Sequence, residues 1–129
     1  MHQYAIVLFN LGGPDDLDAV KPFLYHLFSD RDIFNIPVGQ KIFAKLLSGL
    51  RAPKVKEKYR YIGGKSPVNK WSELQRSMLE QELKKVISGA TVYTAMRYWH
   101  PTIEDTARKI SIVDSTTEIL RPYKKVARI

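Results

Sequence analysis

The sequence predicts an α/β protein with an open parallel sheet and helices on both faces of that sheet. Residues 4–9 form a continuous apolar run typical of a strand that is buried on both faces, and residues 91–96 form a second run rich in residues that favour strands. Several stretches with apolar residues at helical spacing separate the two runs, and one more follows the second. The order of strand, helices, strand and helix indicates parallel rather than hairpin pairing.

The first strand is followed by Asn-Leu-Gly-Gly-Pro at residues 10–14, which predicts a tight turn with close backbone approach. A helix is expected from about Pro22 to Phe28, because proline does not fit an undistorted helix interior. The sequence predicts a second helix over residues 40–50. A separate short, basic helix is expected from Pro53 to Gly63, with the proline in its first turn.

The clearest helix signal is Ser66 as N-cap with Pro67 in the first helical position, ahead of periodic apolar residues up to Gly89. A further helix is expected over residues 102–110. Residues 1–110 are expected to form one domain and residues 111–129 a divergent tail. A short apolar run in that tail, residues 118–120, is a candidate third strand.

Composition places the chain among folded globular proteins, with 129 residues, 44% hydrophobic and 26% charged. No apolar run approaches the roughly 20 residues that cross a bilayer, and the amino terminus lacks the features of an export signal. A cytoplasmic location is therefore expected. The absence of cysteine excludes disulfides, thiolate zinc sites and cysteine-ligated clusters from this sequence.

Positive charge is concentrated between Arg51 and Lys70, in a chain whose formal net charge is +8. This pattern favours anionic partners such as phosphates, anionic lipid or carboxylate-bearing small molecules, although a solvated helix face explains it equally well. A nucleic-acid partner is not expected, because no nucleic-acid-binding motif accompanies the charge.

Four segments, residues 8–14, 23–32, 59–67 and 95–101, resemble ferrochelatases in the family's order and spacing. The resemblance covers roughly residues 5–110, which is most of the chain. It implies the first Rossmann-like domain of a chelatase-type fold, in incomplete form. It also implies a metal-chelating lyase that inserts ferrous iron into protoporphyrin IX in haem biosynthesis, with Fe²⁺ as a substrate and no cofactor required.

The resemblance assigns porphyrin contacts to six positions: Leu11, Arg51, Tyr59, Ser66, Arg97 and Tyr98. Leu11 would offer an apolar contact to the ring, with an ordinary core leucine as the alternative. Arg97 and Tyr98 would lie in the cleft; the alternative for Arg97 is an internal salt bridge, because a guanidinium at a strand end is costly to bury unpaired.

Arg51, Tyr59 and Ser66 would line the mouth of the cleft, where positive charge and hydroxyls meet propionates. Tyr59 is also explained by packing, and Ser66 by its role as N-cap. Lys65 departs from the family, which usually has a third glycine there, and Trp99 is expected in the core.

Ligands bind parallel sheets outside the carboxyl ends of the strands, which is where residues 10–14 and 97–101 fall.

No metal-binding set is predicted, because His2, His26 and His100 share no ligand spacing. Acids at residues 15, 16 and 18 are explained by the positive end of the following helix. The resemblance places the catalytic histidine and glutamate in the second half of the family's sequence. This chain alone is therefore expected to be inactive, and the metal site is unknown.

A second function remains open, a porphyrin- or haem-binding module without turnover. An uncovered strand edge also predicts self-association as a homo-oligomer. The basic residues 51–60 allow peripheral contact with anionic lipid.

Overall fold

The computed structural model describes residues 3–113 and confirms the α/β class with a parallel sheet. Within these residues the elements are, in chain order, β1 (Tyr4–Asn10), α1 (Val20–Ser29), α2 (Gln40–Tyr61), α3 (Pro67–Val86), β2 (Ala90–Met96) and α4 (Ile103–Val113). The candidate third strand at residues 118–120 lies outside the described residues.

The two strands pair in parallel, with Tyr4 opposite Ala90 and Asn10 opposite Met96. The pairing continues beyond both strands, because the Tyr98 N–H donates to the Leu11 carbonyl oxygen at 3.0 Å. Both strands end in register at one edge of the sheet. The two chemically unusual segments that follow them are therefore neighbours, as the sequence predicted.

Strand β2 is covered on both faces. Successive side chains of a strand point to opposite faces, and both Ala95 and Met96 are buried, at 1% and 3% exposure. Strand β1 is less protected, since Tyr4 and Phe9 are exposed at its two ends.

Helices α1 and α2 pack against each other around a small apolar core. Val20, Leu24 and Phe28 of α1 meet Ala44 and Ala52 of α2, and all five side chains are buried. The alanines allow the two helix backbones to approach closely, so α1 and the segment that follows it are held firmly in place.

The predicted break between residues 50 and 53 is wrong, because α2 runs without interruption through Pro53. Proline removes one intrahelical hydrogen bond and crowds the carbonyl four residues earlier. Apolar residues on both sides of Pro53, including Ala52 and Val55, pack in the α1–α2 core, so the helix continues through the proline. Tertiary packing thus outweighs the local penalty.

Helix α1 begins at Val20, two residues before the expected start. Pro22 is then the third helical residue, where a backbone N–H has no intrahelical partner to lose. At α3 the prediction is confirmed: the Ser66 hydroxyl accepts from the Val68 N–H at 3.4 Å, and Pro67 is the first helical residue.

Helix α4 has a reciprocal cap at its beginning. The Thr102 hydroxyl accepts from the Asp105 N–H at 3.0 Å, and the Asp105 carboxylate accepts from the Thr102 N–H at 3.3 Å. The predicted helix over residues 102–110 is therefore present, and it extends to Val113.

Side chains from α3 and α4 occupy the edge of β2 that faces away from β1. The Glu80 carboxylate accepts from the Val92 N–H at 2.9 Å, while the Arg76 guanidinium donates to the Val92 carbonyl at 3.2 Å. The Thr106 hydroxyl donates to the Thr94 carbonyl at 2.8 Å. These bonds satisfy backbone groups that another strand would otherwise use, so this edge of the sheet is closed.

The opposite edge of the sheet belongs to β1. The backbone N–H of Tyr4 donates to the Gly89 carbonyl, and the backbone carbonyl of Asn10 accepts from the Arg97 N–H. The backbone hydrogen-bonding groups of the even-numbered residues of β1 therefore face β2. The backbone groups of Ala5, Val7 and Phe9 therefore point the other way. Within the described residues, β1 provides the edge at which a further strand can pair.

We predict that Glu80→Ala lowers the thermal unfolding midpoint, because the Val92 N–H then loses its acceptor. Glu82→Ala is the matched control, since Glu82 is exposed and, within residues 3–113, pairs only with Lys85 on the same helix. Differential scanning fluorimetry of both variants measures the effect. Equal midpoints for the two variants would contradict the role assigned to Glu80.

Candidate functional site

The candidate site lies at the carboxyl edge of the sheet, where the segments after β1 and β2 meet. Leu11 is 57% exposed there, so the structure does not support the alternative of a core leucine. Its backbone is fixed by the bond from the Tyr98 N–H and by the Asn10 side chain, whose oxygen accepts from the Leu11 N–H at 2.8 Å. An apolar side chain is thus presented to solvent on a rigid backbone.

The Gly12–Gly13 turn is closely surrounded by the rest of the site. A Cβ on Gly12 would lie 3.0 Å from the Cβ atoms of Met96 and Trp99, and its φ of +80° also favours glycine. A Cβ on Gly13 would lie 2.4 Å from the Cβ and the hydroxyl oxygen of Ser66. The predicted close backbone approach is confirmed on both sides of the turn.

Asn69 of α3 fastens the same turn. Its side-chain oxygen accepts from the Gly13 N–H at 3.1 Å, and its amide nitrogen donates to the Gly13 carbonyl and to Asp15, each at 2.7 Å. The Ser66 N–H donates to the Pro14 carbonyl at 2.8 Å. The beginning of α3 therefore supports the loop that follows β1.

The acids after the turn have three separate structural roles. Asp15 accepts from the Trp99 indole N–H at 2.6 Å, Asp16 accepts from the Ala19 N–H at 2.7 Å, and Asp18 pairs with Lys56 at 3.3 Å. Asp16 binds a backbone N–H at the beginning of α1, and Asp15 and Asp18 each have a side-chain partner; for all three acids, the explanation by the helix dipole stays a prediction. Over residues 3–113, no three His, Asp or Glu side chains are arranged to hold a metal ion.

Trp99 is half-buried rather than a core residue. Its Cβ atom lies close to Gly12 and its indole N–H donates to exposed Asp15. The expectation of a core tryptophan is therefore only partly met, because a tryptophan with a polar partner is stable at the edge of a site.

Arg97 and Tyr98 converge on two aspartates that follow α1. The Tyr98 hydroxyl donates to Asp30 at 2.7 Å, and Tyr98 is only 5% exposed. Arg97 Nη2 lies 2.7 Å from Asp30 and 2.6 Å from Asp32. The alternative of an internal salt bridge thus holds for Arg97, whose contact with a porphyrin stays a prediction.

Burial and hydrogen bonding shift the proton affinities in this cluster. Burial, together with the bond to Asp30 and the charge of its carboxylate, raises the pKa of Tyr98 to about 12. Burial alone would raise the pKa of Asp30. The bonds from Tyr98 and the Asp32 N–H, with the charge of Arg97, outweigh that effect and hold the pKa below its usual value.

Four of the six sequence-predicted residues lie around this turn: Leu11, Ser66, Arg97 and Tyr98. Arg51 and Tyr59 belong to α2, and no hydrogen bond among the described residues joins their side chains to the other four. Tyr59 is half-buried against the α1–α2 core, in line with its packing alternative, and Arg51 is exposed.

Lys65 does not strain the loop before α3. Gly63 and Gly64 have positive φ angles of 92° and 78°, whereas no described non-glycine residue does. The conformation therefore requires two glycines here and not three.

Sequence reasoning missed Asp30, Asp15 and Asn69 as parts of the site. Asp30 stands in the Ser-Asp-Arg-Asp run that contributed to the resemblance, so a signal for it was present. For Asn69 there was no such signal in the sequence, because an asparagine in the first turn of a helix is an ordinary surface residue.

The fold and the site define a class of protein: an α/β protein whose candidate site lies at the carboxyl edge of a parallel sheet, where ligands of such sheets usually bind. The family model described as Ferrochelatase matches residues 3–121. The chain belongs to the ferrochelatase family.

Curated relatives agree with this assignment. The chain is 45% identical over 112 residues to a ferrochelatase of Rippkaea orientalis, a match covering 85% of the chain and 29% of that protein. It is 47% identical over 106 residues to a ferrochelatase of a Sulfurihydrogenibium species, covering 81% and 31%. A chloroplastic ferrochelatase-2 of Cucumis sativus is 42% identical over 121 residues, covering 91% and 24%. The chain therefore spans about a third or less of the length of these relatives.

The described helices include none with the length and apolar character needed to cross a bilayer.

We predict that Gly13→Ala destabilises the protein by about 1–3 kcal/mol, because the new methyl group overlaps Ser66. The second substitution Ser66→Gly should recover part of that loss by removing the obstructing atoms. Gly49→Ala is the control, since its Cβ would meet only the end of the Lys21 side chain at 3.9 Å. Urea unfolding measures all three variants, and equal stability of the two alanine variants would refute the steric account.

We also predict a loss of stability at alkaline pH that depends on Tyr98. The folded pKa of about 12 lies above the ordinary value of 10.0, so the neutral phenol stabilises the fold fully below pH 10. That contribution declines as pH rises from 10 to 12. Urea unfolding between pH 9 and 12 should show a steeper loss for the wild type than for Tyr98→Phe; parallel curves would contradict this.

Proposed function

We propose that the protein to which this chain belongs is a ferrochelatase that inserts ferrous iron into protoporphyrin IX in haem biosynthesis, and that this chain forms one wall of the porphyrin cleft. Family membership supports the reaction. The observation that carries the wall is the convergence of exposed Leu11 with Arg97 and Tyr98 at one edge of the sheet. Iron enters as a substrate, and no resident cofactor is required.

The chemistry of the wall suits a flat, apolar ring that carries carboxylates. Leu11 offers apolar surface on a fixed backbone, and the half-exposed guanidinium of Arg97 offers hydrogen-bond donors beside it. Arg51, Tyr59 and Ser66 are proposed to meet the propionates at the mouth. The positive charge between Arg51 and Lys70 supports that assignment, because it attracts a dianionic ligand.

Turnover is proposed to need groups outside residues 3–113. No metal-holding set of side chains is present over that part of the chain, and the resemblance places the catalytic histidine and glutamate elsewhere in the family's sequence. On its own, the chain is therefore expected to bind porphyrin without inserting metal. The alternative, a binding module without any turnover, makes the same prediction for this chain.

Two surface features support proposals about contact with a membrane and about self-association of the chain. Ile42, Leu46 and Leu50 are exposed at helical spacing on the basic helix α2, which favours peripheral contact of a cytoplasmic protein with an anionic membrane. The open edge of β1 favours self-association of the isolated chain.

The test is a fluorescence titration of the full chain with protoporphyrin IX and, separately, with its dimethyl ester. We expect Leu11→Ala to weaken binding of both ligands roughly threefold to tenfold, through lost apolar contact. Ile112→Ala is the control, because Ile112 is equally apolar and exposed but lies on α4. Arg51→Ala should weaken binding of the acid and leave binding of the ester unchanged.

Addition of Zn²⁺ or Fe²⁺ to the bound complex then tests turnover. Binding without metalloporphyrin formation supports the proposed wall. Metalloporphyrin formed above the rate without protein would show that these residues suffice, against the proposal on the catalytic groups. Absence of porphyrin binding by the wild-type chain would overturn the assignment of the wall.

A further inference from the structure

Within the described residues, only one of the three guanidinium nitrogens of Arg97 makes a polar contact. Nη2 contacts both Asp30 and Asp32, whereas Nε and Nη1 make no hydrogen bond within the described residues. The side chain is 46% exposed. Nη2 is therefore anchored, and three donor hydrogens, one on Nε and two on Nη1, stay free on separate sides of the guanidinium.

The aromatic ring of Tyr98 packs against the guanidinium of Arg97. The guanidinium carbon of Arg97 lies 5.5 Å from the centre of the Tyr98 ring, within cation–π distance. The ring is buried, and its hydroxyl donates to Asp30. Asp30 Oδ2 thus binds both members of the pair.

Asp30 is itself held in place by backbone contacts. It follows the last residue of α1, its Oδ1 accepts from the Asp32 N–H at 2.9 Å, and its carbonyl accepts from Phe34 N–H at 3.0 Å. Its side chain is 16% exposed, against 80% for Asp32. Arg97 Nη2 is also hydrogen-bonded to Asp32 at 2.6 Å, but water screens that exposed ion pair more strongly, so Asp30 is the more buried of two anchors.

We propose that Asp30 is a positioning residue of the porphyrin site: through Arg97 Nη2 and the Tyr98 hydroxyl, it holds the Arg97 guanidinium so that one of its free donors, Nε–H or an Nη1 hydrogen, meets an anionic tetrapyrrole. The inference rests on the proposed function. It explains why a site residue has an internal salt bridge, because the bridge occupies Nη2 and leaves the donor hydrogens of Nε and Nη1 free. The two expectations for Arg97 are then parts of one arrangement.

The test is a double-mutant cycle on protoporphyrin affinity, measured by fluorescence titration of the full chain. Asp30→Asn keeps an acceptor for the Tyr98 hydroxyl and removes the charge of the more buried of the two carboxylates that hold Arg97. We expect it to weaken binding roughly threefold to tenfold, as expected for disturbing a charge-assisted hydrogen bond at a partly exposed site. In an Arg97→Ala background, the same substitution should change affinity less than about twofold.

Two further variants make the result specific. Glu82→Gln is the matched control, because Glu82 also pairs with a cation, Lys85 of α3, which belongs neither to the site nor to the basic stretch from Arg51 to Lys70, and its side chain is 68% exposed. Arg97→Lys keeps a cation beside Asp30 but lacks Nε and Nη1. It should bind as weakly as Arg97→Ala, and this holds even if Asp30→Asn fails to fold.

The outcomes separate this inference from the proposed function. If the wild-type chain does not bind porphyrin, the proposed function fails. If the wild type binds and Asp30→Asn has the same effect with and without Arg97, Asp30 does not act through Arg97 and the inference is wrong. Wild-type affinity in Arg97→Lys would also overturn it.

Discussion

The parallel register of β1 and β2 is the constraint on which the rest of the structure depends. It places Asn10 opposite Met96, so that the loops after both strands begin at the same height. A shift of one residue would exchange the faces to which the side chains of a strand point and separate Leu11 from Tyr98. The closed outer edge of β2 also leaves no second place for β1 to pair at Val92.

Aspartates connect the loops of the site to one another. Asp15 joins the loop after β1 to Trp99, and Asp30 joins the end of α1 to Arg97 and Tyr98. Each carboxylate accepts from donors on segments far apart in the chain. A site made of loops becomes rigid in this way, since acceptors with several donors fix more than one segment at once.

The sequence predicted what local chemistry controls. Apolar runs identified both strands, and Ser66 with Pro67 identified the beginning of α3, because caps and strand burial act over a few residues. It failed at Pro53, where contacts with α1 decide the outcome, and such contacts are not visible in a local pattern. The partner of Arg97 was missed for the same reason, since Asp30 is 67 residues away in the chain.

The geometry of the proposed wall is set before any ligand arrives. The bonds that orient Arg97, Tyr98 and the Gly12–Gly13 turn all come from residues of this chain. Little orienting cost then remains for binding, because the donors and the apolar surface are already immobile. An arginine without these two aspartates, Asp30 and Asp32, would have to be ordered by the ligand itself, at a cost in side-chain entropy. The internal salt bridge therefore supports a binding role for Arg97 rather than competing with it.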